Sequence, residues 1–248
     1  MLRQIGLAAF TLRECLALYL LIAVGRARLD LPALADALRQ SGLSILPALA
    51  LVAAAVGAIL GNQTTSFLQE RDLPGLVLLS LGYGVVMELV PILIGVLVAG
   101  RAGVALAVRQ ANLVVSGEMD GLLVCGVNPL QFTVAPALLA MLMMSFAFTV
   151  WGAFIAYASA FTWLWADAGI PPALFLDTLR RSLTPGDLLQ ALTKPLVFAV
   201  IIALIATVNG TTAGRDPRGI AGAATRTMIG AVTAILITDL AFILAPRI

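Results

Sequence analysis

The sequence predicts an all-α integral membrane protein, from its composition and from the spacing of its apolar segments. Of its 248 residues, 61% are hydrophobic and only 11% are charged, whereas a soluble domain carries about 25% charged residues. A membrane-spanning helix needs about 20 predominantly apolar residues, and five segments meet that requirement. We predict an N-terminal interfacial helix plus five transmembrane helices, with a cytoplasmic coupling helix between spans 2 and 3.

The N-terminal region, residues 1–40, is predicted to form amphipathic helices that lie on the membrane surface. Arg13 and Glu14 interrupt its apolar run, and placing two charges at the bilayer centre would cost roughly 2.5–3.5 kcal/mol each. An interfacial helix keeps apolar side chains in lipid and arginines in water. A signal peptide is the alternative, although no small-residue cleavage site follows the run. Residues 41–248 are predicted to form one transmembrane domain.

Polar segments divide that domain into its five spans. We predict them at residues 43–67, 76–108, 136–163, 195–208 with its flanks, and 227–244. The segment 167–194 is predicted to be a loop with some helix, because it contains several Pro and Gly residues. With the N-terminus inside, ten of the 15 Lys and Arg residues are cytoplasmic, and Lys194 is among the other five. The positive-inside rule therefore favours a cytoplasmic N-terminus.

Three charged residues fall inside the predicted spans. Glu88 lies twelve residues into the second span, where a carboxylate is costly and should face a cavity or a partner. Pro91 removes one helical hydrogen bond and can bend the helix there. Arg101 lies about 20 Å further along a continuous helix, so we expect it to reach the cytoplasmic surface or another element. Asp239, in the last span, is predicted to make a structural hydrogen bond.

The polar segment between the second and third spans is predicted to be a docking helix. It combines acids with apolar side chains and ends at a glycine and an Asn-Pro pair. These residues are Glu118, Asp120, Leu122, Val124, Gly126, Asn128 and Pro129. A short cytoplasmic helix of this kind can seat in a partner's groove, and an ordinary loop helix is the alternative.

Some functions are disfavoured by what the sequence lacks. It contains no histidine, the usual base of a Ser or Cys triad and the commonest metal ligand, so we do not expect an enzyme. A G-x-x-x-x-G-K-[ST] phosphate loop is also absent. If ATP drives this protein, a separate chain must hydrolyse it. A net charge of +2 does not suggest a nucleic-acid partner.

The ordered motifs resemble those of MlaE-type permeases of ABC lipid transporters, from about Leu43 to the C-terminus. The matching residues are Glu88-Leu89 with Pro91, Ala99-Gly100-Arg101 with Gly103, Asp120, Leu122, Val124, Gly126-Val127-Asn128-Pro129, Lys194 with Val197-Phe198, Asn209-Gly210, Thr225-Arg226-Thr227 and Asp239. The sequence departs from the family pattern at Met87, Val90, Arg109, Ala111 and Gly117. It therefore resembles a divergent member.

The resemblance implies a homodimeric permease of the bacterial inner membrane, without a cofactor of its own. It would move phospholipid or a related lipid between that membrane and a periplasmic MCE-domain protein, a function connected with outer-membrane lipid asymmetry. The implied lipid-binding cavity contains Leu60, Gln63, Phe67, Leu68 and Glu88. The coupling helix would contact a cytoplasmic ABC ATPase that binds ATP and Mg²⁺, and a small regulatory subunit could bind that ATPase.

A proton-coupled secondary transporter of a hydrophobic solute is the alternative function. In that mechanism Glu88 and Asp239 would carry protons. The sequence shows no evident inverted repeat, which many secondary transporters contain.

Overall fold

The structure, a computed structural model, describes residues 2–26, 30–39, 42, 44–70 and 83–244, and these residues are mostly helical. The helices are α1 (Leu2–Ala23), α2 (Leu31–Leu38), α3 (Leu46–Glu70), α4 (Val90–Val98), α5 (Val104–Val115), α6 (Glu118–Val124), α7 (Pro129–Ala168), α8 (Pro172–Ser182), α9 (Pro185–Thr211) and α10 (Pro217–Leu244). Two π-helical segments, Val85–Leu89 and Ala99–Gly103, flank α4. The helical stretch is therefore continuous from Val85 to Val115.

Six described helical stretches are long and apolar enough to cross a membrane. They are Gln4–Ala23, Leu46–Ser66, Met87–Val115, Pro129–Ala168, Pro185–Thr211 and Pro217–Leu244. The last five correspond to the predicted spans, and the all-α, multi-pass membrane architecture is confirmed. The predicted start of the second span, residues 76–82, lies outside the described residues.

The remaining stretch, Gln4–Ala23, belongs to α1, which we predicted to be interfacial. The Tyr19 hydroxyl donates to the carbonyl of Ala135 at 2.6 Å, and Glu14 accepts from the amide of Asn128 at 2.8 Å. Both contacts fall at or near the start of α7. At its other end α1 lines a cleft with Asn209, close to the end of α9. A helix of this length measures about 33 Å. Its contacts with the start of α7 and with the end of α9 support the interfacial position of α1. That position stays a prediction.

The segment 167–194, predicted to be a loop with some helix, is mostly helical, since it contains α8 and the start of α9. Pro185 is the first residue of α9, a position where its fixed φ favours the helix and its missing N–H costs nothing. The hydroxyl of Thr184 donates to the Asp187 carboxylate at 2.8 Å and accepts from the Asp187 backbone N–H at 3.2 Å. This exchange caps the helix start. Lys194, which we placed in the loop, therefore lies inside α9.

The chain forms two compact units, and each is described by itself. The first contains residues Met1–Ile45, Gly95–Ser145 and Val197–Ile248, and the second contains Leu46–Ile94 and Phe146–Leu196. In the first unit α10 packs on α5 and on the π segment before it. Small residues contribute to this contact, since the buried Ala111 of α5 and Ala223 of α10 belong to one cluster. Small side chains let membrane helices approach closely.

In the second unit, α3 packs on α7 through glycines. A Cβ atom on Gly61 would lie 2.9 Å from the carbonyl oxygen of Ala160, and one on Gly57 would meet the carbonyl of Ala156 even more closely. The Ser159 hydroxyl donates to the Ala54 carbonyl at 2.7 Å in the same contact. The glycine face of α3 therefore fixes the helix pair, and the opposite faces remain for other contacts.

Candidate functional site

The second unit contains an ion pair between Glu88 and Lys194. The Lys194 Nζ lies 3.1 Å from Glu88 Oε2, and the two side chains are 1% and 34% exposed, respectively. Lys194 Nζ also donates to the carbonyl of Met87 at 2.8 Å. The intramembrane carboxylate, predicted to face a cavity or a partner, is therefore paired with a lysine that the sequence predicts to lie in a loop.

The local backbone explains why a carbonyl is free for Lys194. In an α-helix, the N–H of residue 91 would bond to the carbonyl of Met87, but Pro91 has no N–H. The turn before it is π-helical, with the N–H of Val90 bonded to the carbonyl of Val85 five residues earlier. Such π-bulges are frequent at functional sites. The ammonium group of Lys194 supplies the hydrogen bond that the proline cannot.

The ion pair sits against an apolar cluster. Buried Met87 and Ala191 pack there with Tyr83, Ala153, Tyr157 and Leu183. In such surroundings a charge is stable only when it is paired or hydrogen-bonded. Since Glu88 is about one-third exposed while Lys194 is enclosed, the carboxylate is the member that can reach a polar ligand. The arrangement can thus present a fixed acceptor at an otherwise apolar surface.

The other predicted cavity residues lie on α3. Gln63 is exposed and Leu60 is half-buried, and both lie off the glycine face that contacts α7. The side chains of Phe67 and Leu68 lie outside the described residues. The role of these residues in a lipid cavity stays a prediction.

Arg101 and Asp239 belong to the first unit. Arg101 is exposed, and its Nε donates to the Ser44 hydroxyl at 3.1 Å, so it contacts another element, as one of the two predictions stated. Asp239 is buried in α10. The described residues contain no group of three or more His, Cys, Asp or Glu that could hold a metal ion.

The predicted coupling helix exists, but it is shorter than predicted. It comprises Glu118–Val124 rather than residues 118–128. Gly117 before it and Gly126 after it have φ of +77° and +75°, the left-handed region that favours glycine. The helix is thus a separate short element between two glycine turns, joined to α7 through Asn128 and Pro129.

The exposed face of α6 is apolar as well as acidic. Val124 is 89% exposed and Leu123 is 58% exposed, whereas Leu122 is half-buried and lines a cleft of about 540 Å³ with Arg109 and Phe132. We had named Leu122 and Val124 and missed Leu123. A helix of two turns has too short a pattern for its face to be assigned from sequence. Exposed apolar side chains beside acids agree with the predicted docking helix, whose role stays a prediction.

Asp120 makes a contact that the sequence did not suggest. Its carboxylate lies 3.3 Å from a terminal nitrogen of Arg215, in the turn after α9, and both side chains are largely exposed. Surface ion pairs contribute only about 0–1 kcal/mol, so the pair is a weak link. It nevertheless places the α6 segment and the α9–α10 connection on the same side of the first unit, as five spans require.

Asn128 is held by internal hydrogen bonds. Its side chain accepts from the backbone N–H of Leu130 at 3.0 Å, and its amide donates to Glu14. Gln131 donates to the same Glu14 oxygen at 3.0 Å. Glu14, which we had treated only as an interruption of α1, therefore joins α1 to the coupling segment.

Gln110 is a second residue that sequence reasoning missed. It follows the predicted end of the second span at residue 108, but it lies within α5 and is fully buried. Its amide donates to the Thr133 hydroxyl at 2.5 Å, while its carbonyl oxygen has no partner among the described residues. A polar residue next to a loop gives no sequence signal for burial of this kind.

Comparison with known proteins decides the family. Residues 34–245 match the family described as permease MlaE. This chain belongs to that family. It is 27% identical over 202 residues to a probable ABC transporter permease protein of Rickettsia prowazekii (strain Madrid E), covering 80% of this chain and 76% of the relative.

Two further relatives match a shorter part of this chain. A probable ABC transporter permease protein of Synechocystis sp. is 29% identical over 152 residues, covering 61% of this chain and 58% of the relative. The chloroplastic protein trigalactosyldiacylglycerol 1 of Arabidopsis thaliana is also 29% identical over 152 residues, covering 61% and 43%. This MlaE-family protein is therefore a permease subunit of an ABC transporter, which implies an ATPase partner.

Proposed function

We propose that this MlaE-family permease moves phospholipid, or a related lipid, between the bacterial inner membrane and a periplasmic MCE-domain protein. The match to the permease family over residues 34–245 carries the proposal. The name of the Arabidopsis relative, which contains that of a galactolipid, supports lipid as the cargo class. The long apolar helices offer surfaces suited to acyl chains.

The Glu88–Lys194 ion pair is proposed to contact the polar part of the cargo. A one-third exposed carboxylate beside an enclosed ammonium offers an acceptor where the surroundings are apolar. Polar groups placed in an otherwise apolar site fix the orientation of a ligand. In a homodimer, each copy would contribute one such pair, together with Leu60 and Gln63 from α3.

Energy is proposed to come from a cytoplasmic ABC ATPase that seats α6 in a groove. The exposed Leu123 and Val124 supply apolar contacts, and the acidic Glu118 and Asp120 supply charge. The arrangement resembles the helix-in-groove mode of protein recognition. ATP and Mg²⁺ would bind to that partner, and not to this chain. The N-terminus is proposed to be cytoplasmic, on the arginine distribution described above.

Mass spectrometry of the gently solubilised complex, purified through a tag on this chain, tests the proposal. We expect an ABC ATPase, an MCE-domain protein and phospholipid to copurify. Recovery of the chain without an ATPase in the mildest detergents would contradict the proposed mechanism. The identity of the bound lipid would also limit which lipids can be the cargo.

Reconstitution distinguishes this function from proton coupling. The copurified complex in liposomes should transfer fluorescent phospholipid to an acceptor only when ATP is supplied. A pH gradient alone should have no effect. Transport by the purified chain alone, driven by the gradient, would establish the alternative function.

A further inference from the structure

A cleft in the first unit combines one arginine with aliphatic walls. Its lining comes from the start of α1, the end of α9 and the first half of α10, and its volume is about 360 Å³. That volume lies within the range of about 300–1,000 Å³ found for small-molecule sites. The aliphatic walls are Ile5, Ala8, Leu204, Ile205, Val208 and Gly230.

Arg226 is the charged group of this cleft. It is exposed, and the structure gives it no hydrogen bond or ion pair with any described residue. It lies nine residues after Pro217, about 13 Å along α10, within a stretch apolar enough to cross a membrane. Arginines at such positions extend toward the interface to reach water or phosphate. The described residues therefore supply no anion to the guanidinium, and a ligand could supply one.

Amide groups line the same cleft. Asn209 is half-buried and donates to the Thr227 hydroxyl at 3.3 Å, and the exposed Gln4 approaches from α1. Amides can donate to phosphate or ester oxygens. Polar groups near the end of α9 and aliphatic groups deeper in the helices reproduce the order of groups in a phospholipid.

We propose that this cleft binds one anionic phospholipid of the cytoplasmic leaflet, with its phosphate on Arg226 and part of an acyl chain along α1 and α9. A guanidinium suits phosphate because its fork of N–H donors matches two oxygens. Anionic lipids are concentrated in that leaflet. The bound lipid would attach α1 to α9 and α10. This site uses other residues than the proposed cargo site, and only its assignment to the cytoplasmic leaflet rests on the proposed orientation.

Native mass spectrometry of the purified chain with added dioleoylphosphatidylglycerol tests the proposal. We expect Arg226→Gln to lower the affinity of one bound phosphatidylglycerol about tenfold, or about 1.4 kcal/mol. Arg218→Gln is the matched control, because Arg218 lies in the first turn of the same helix, is exposed and does not line the cleft. Equal effects of the two substitutions would overturn the proposal.

A second variant leaves the charge in place. Gly230 lines the cleft, and a Cβ atom there would lie 3.5 Å from Ile205, so Gly230→Leu should fit and fill the acyl space. We expect it to weaken phosphatidylglycerol binding, while the melting temperature of the lipid-free protein stays close to that of the wild type. Unchanged lipid binding in this variant would overturn the placement of the acyl chain.

Competition distinguishes the possible sources of the phosphate. Excess inorganic phosphate should not displace phosphatidylglycerol, because it lacks the acyl contacts, and dioleoylphosphatidylcholine should bind more weakly, because it is zwitterionic. Displacement by inorganic phosphate at equal concentration would show a simple anion site and would overturn the lipid assignment.

Discussion

Lys194 and Glu88 form an ion pair in which the lysine is enclosed and the carboxylate is partly open. Their side chains come from α9 and from the π segment before α4, 106 residues apart in the sequence. The lysine has a second acceptor, the carbonyl of Met87, whereas the Glu88 carboxylate has access to its surroundings. This asymmetry predicts different consequences for the loss of either member.

Replacing the glutamate should be more destabilising than replacing the lysine. Glu88→Leu leaves an enclosed ammonium without its carboxylate, a loss of about 3–5 kcal/mol for breaking a buried pair. Lys194→Met leaves a carboxylate that the protein encloses only in part, so we expect a smaller loss. Thermal unfolding in detergent measures both.

The double variant and a surface pair serve as controls for that experiment. Glu88→Leu with Lys194→Met should recover most of the stability, because no unpaired charge remains. Arg181→Met removes an exposed pair with Asp177 and should change the unfolding free energy by less than about 0.5 kcal/mol. Equal losses for the two single variants would contradict the asymmetry. If the double variant folds but does not transfer lipid, the two charges are required for transport.

The contact between α3 and α7 should not tolerate a methyl group at Gly57. Its Cβ would meet the backbone carbonyl of Ala156, and backbone cannot move aside as a flexible side chain can. We expect Gly57→Ala to lower the unfolding free energy by about 1–3 kcal/mol, the usual cost of overpacking. Gly152→Ala is the control, because that Cβ would lie 3.4 Å from a terminal carbon of Leu49. A larger loss at Gly152 would contradict this account.

A charge exchange separates two functions of Asp120. Asp120→Arg should weaken copurification of the ATPase and lower its stimulated activity, with little change in melting temperature, since the pair with Arg215 is exposed. If Asp120 contacts the ATPase, adding Arg215→Asp should not restore the activity. Full restoration of the stimulated ATPase activity by the double substitution would show that the activity depends on the ion pair between residues 120 and 215, and not on a contact of Asp120 with the ATPase.

The native cysteines report the orientation of the coupling segment. Cys125 follows α6 and is exposed, whereas Cys15 is buried. A membrane-impermeant maleimide should therefore label Cys125 in inverted inner-membrane vesicles and not in right-side-out vesicles. Cys125→Ser should abolish the labelling. Labelling only from the periplasmic side would reverse the proposed topology.

Much of the architecture follows from the sequence because hydrophobicity along a membrane helix is a local property. Uninterrupted apolar runs located the spans, and glycine and Asn-Pro located the coupling segment. The boundary at Pro185 was missed, although Thr184, Pro185 and Asp187 carry a helix-start signal, because Pro and Gly also mark loops.

The partners of the charged groups were decided only by the tertiary structure. The sequence by itself determined that Glu88 needed a cavity or a partner, since a carboxylate is unstable in an apolar segment without one. Which residue becomes the partner of Glu88 depends on the rotation and depth of α9 relative to the second span. Neither of these can be read from a local sequence pattern. The same reason applies to Asp120 with Arg215, to Glu14 with Asn128, and to the burial of Gln110.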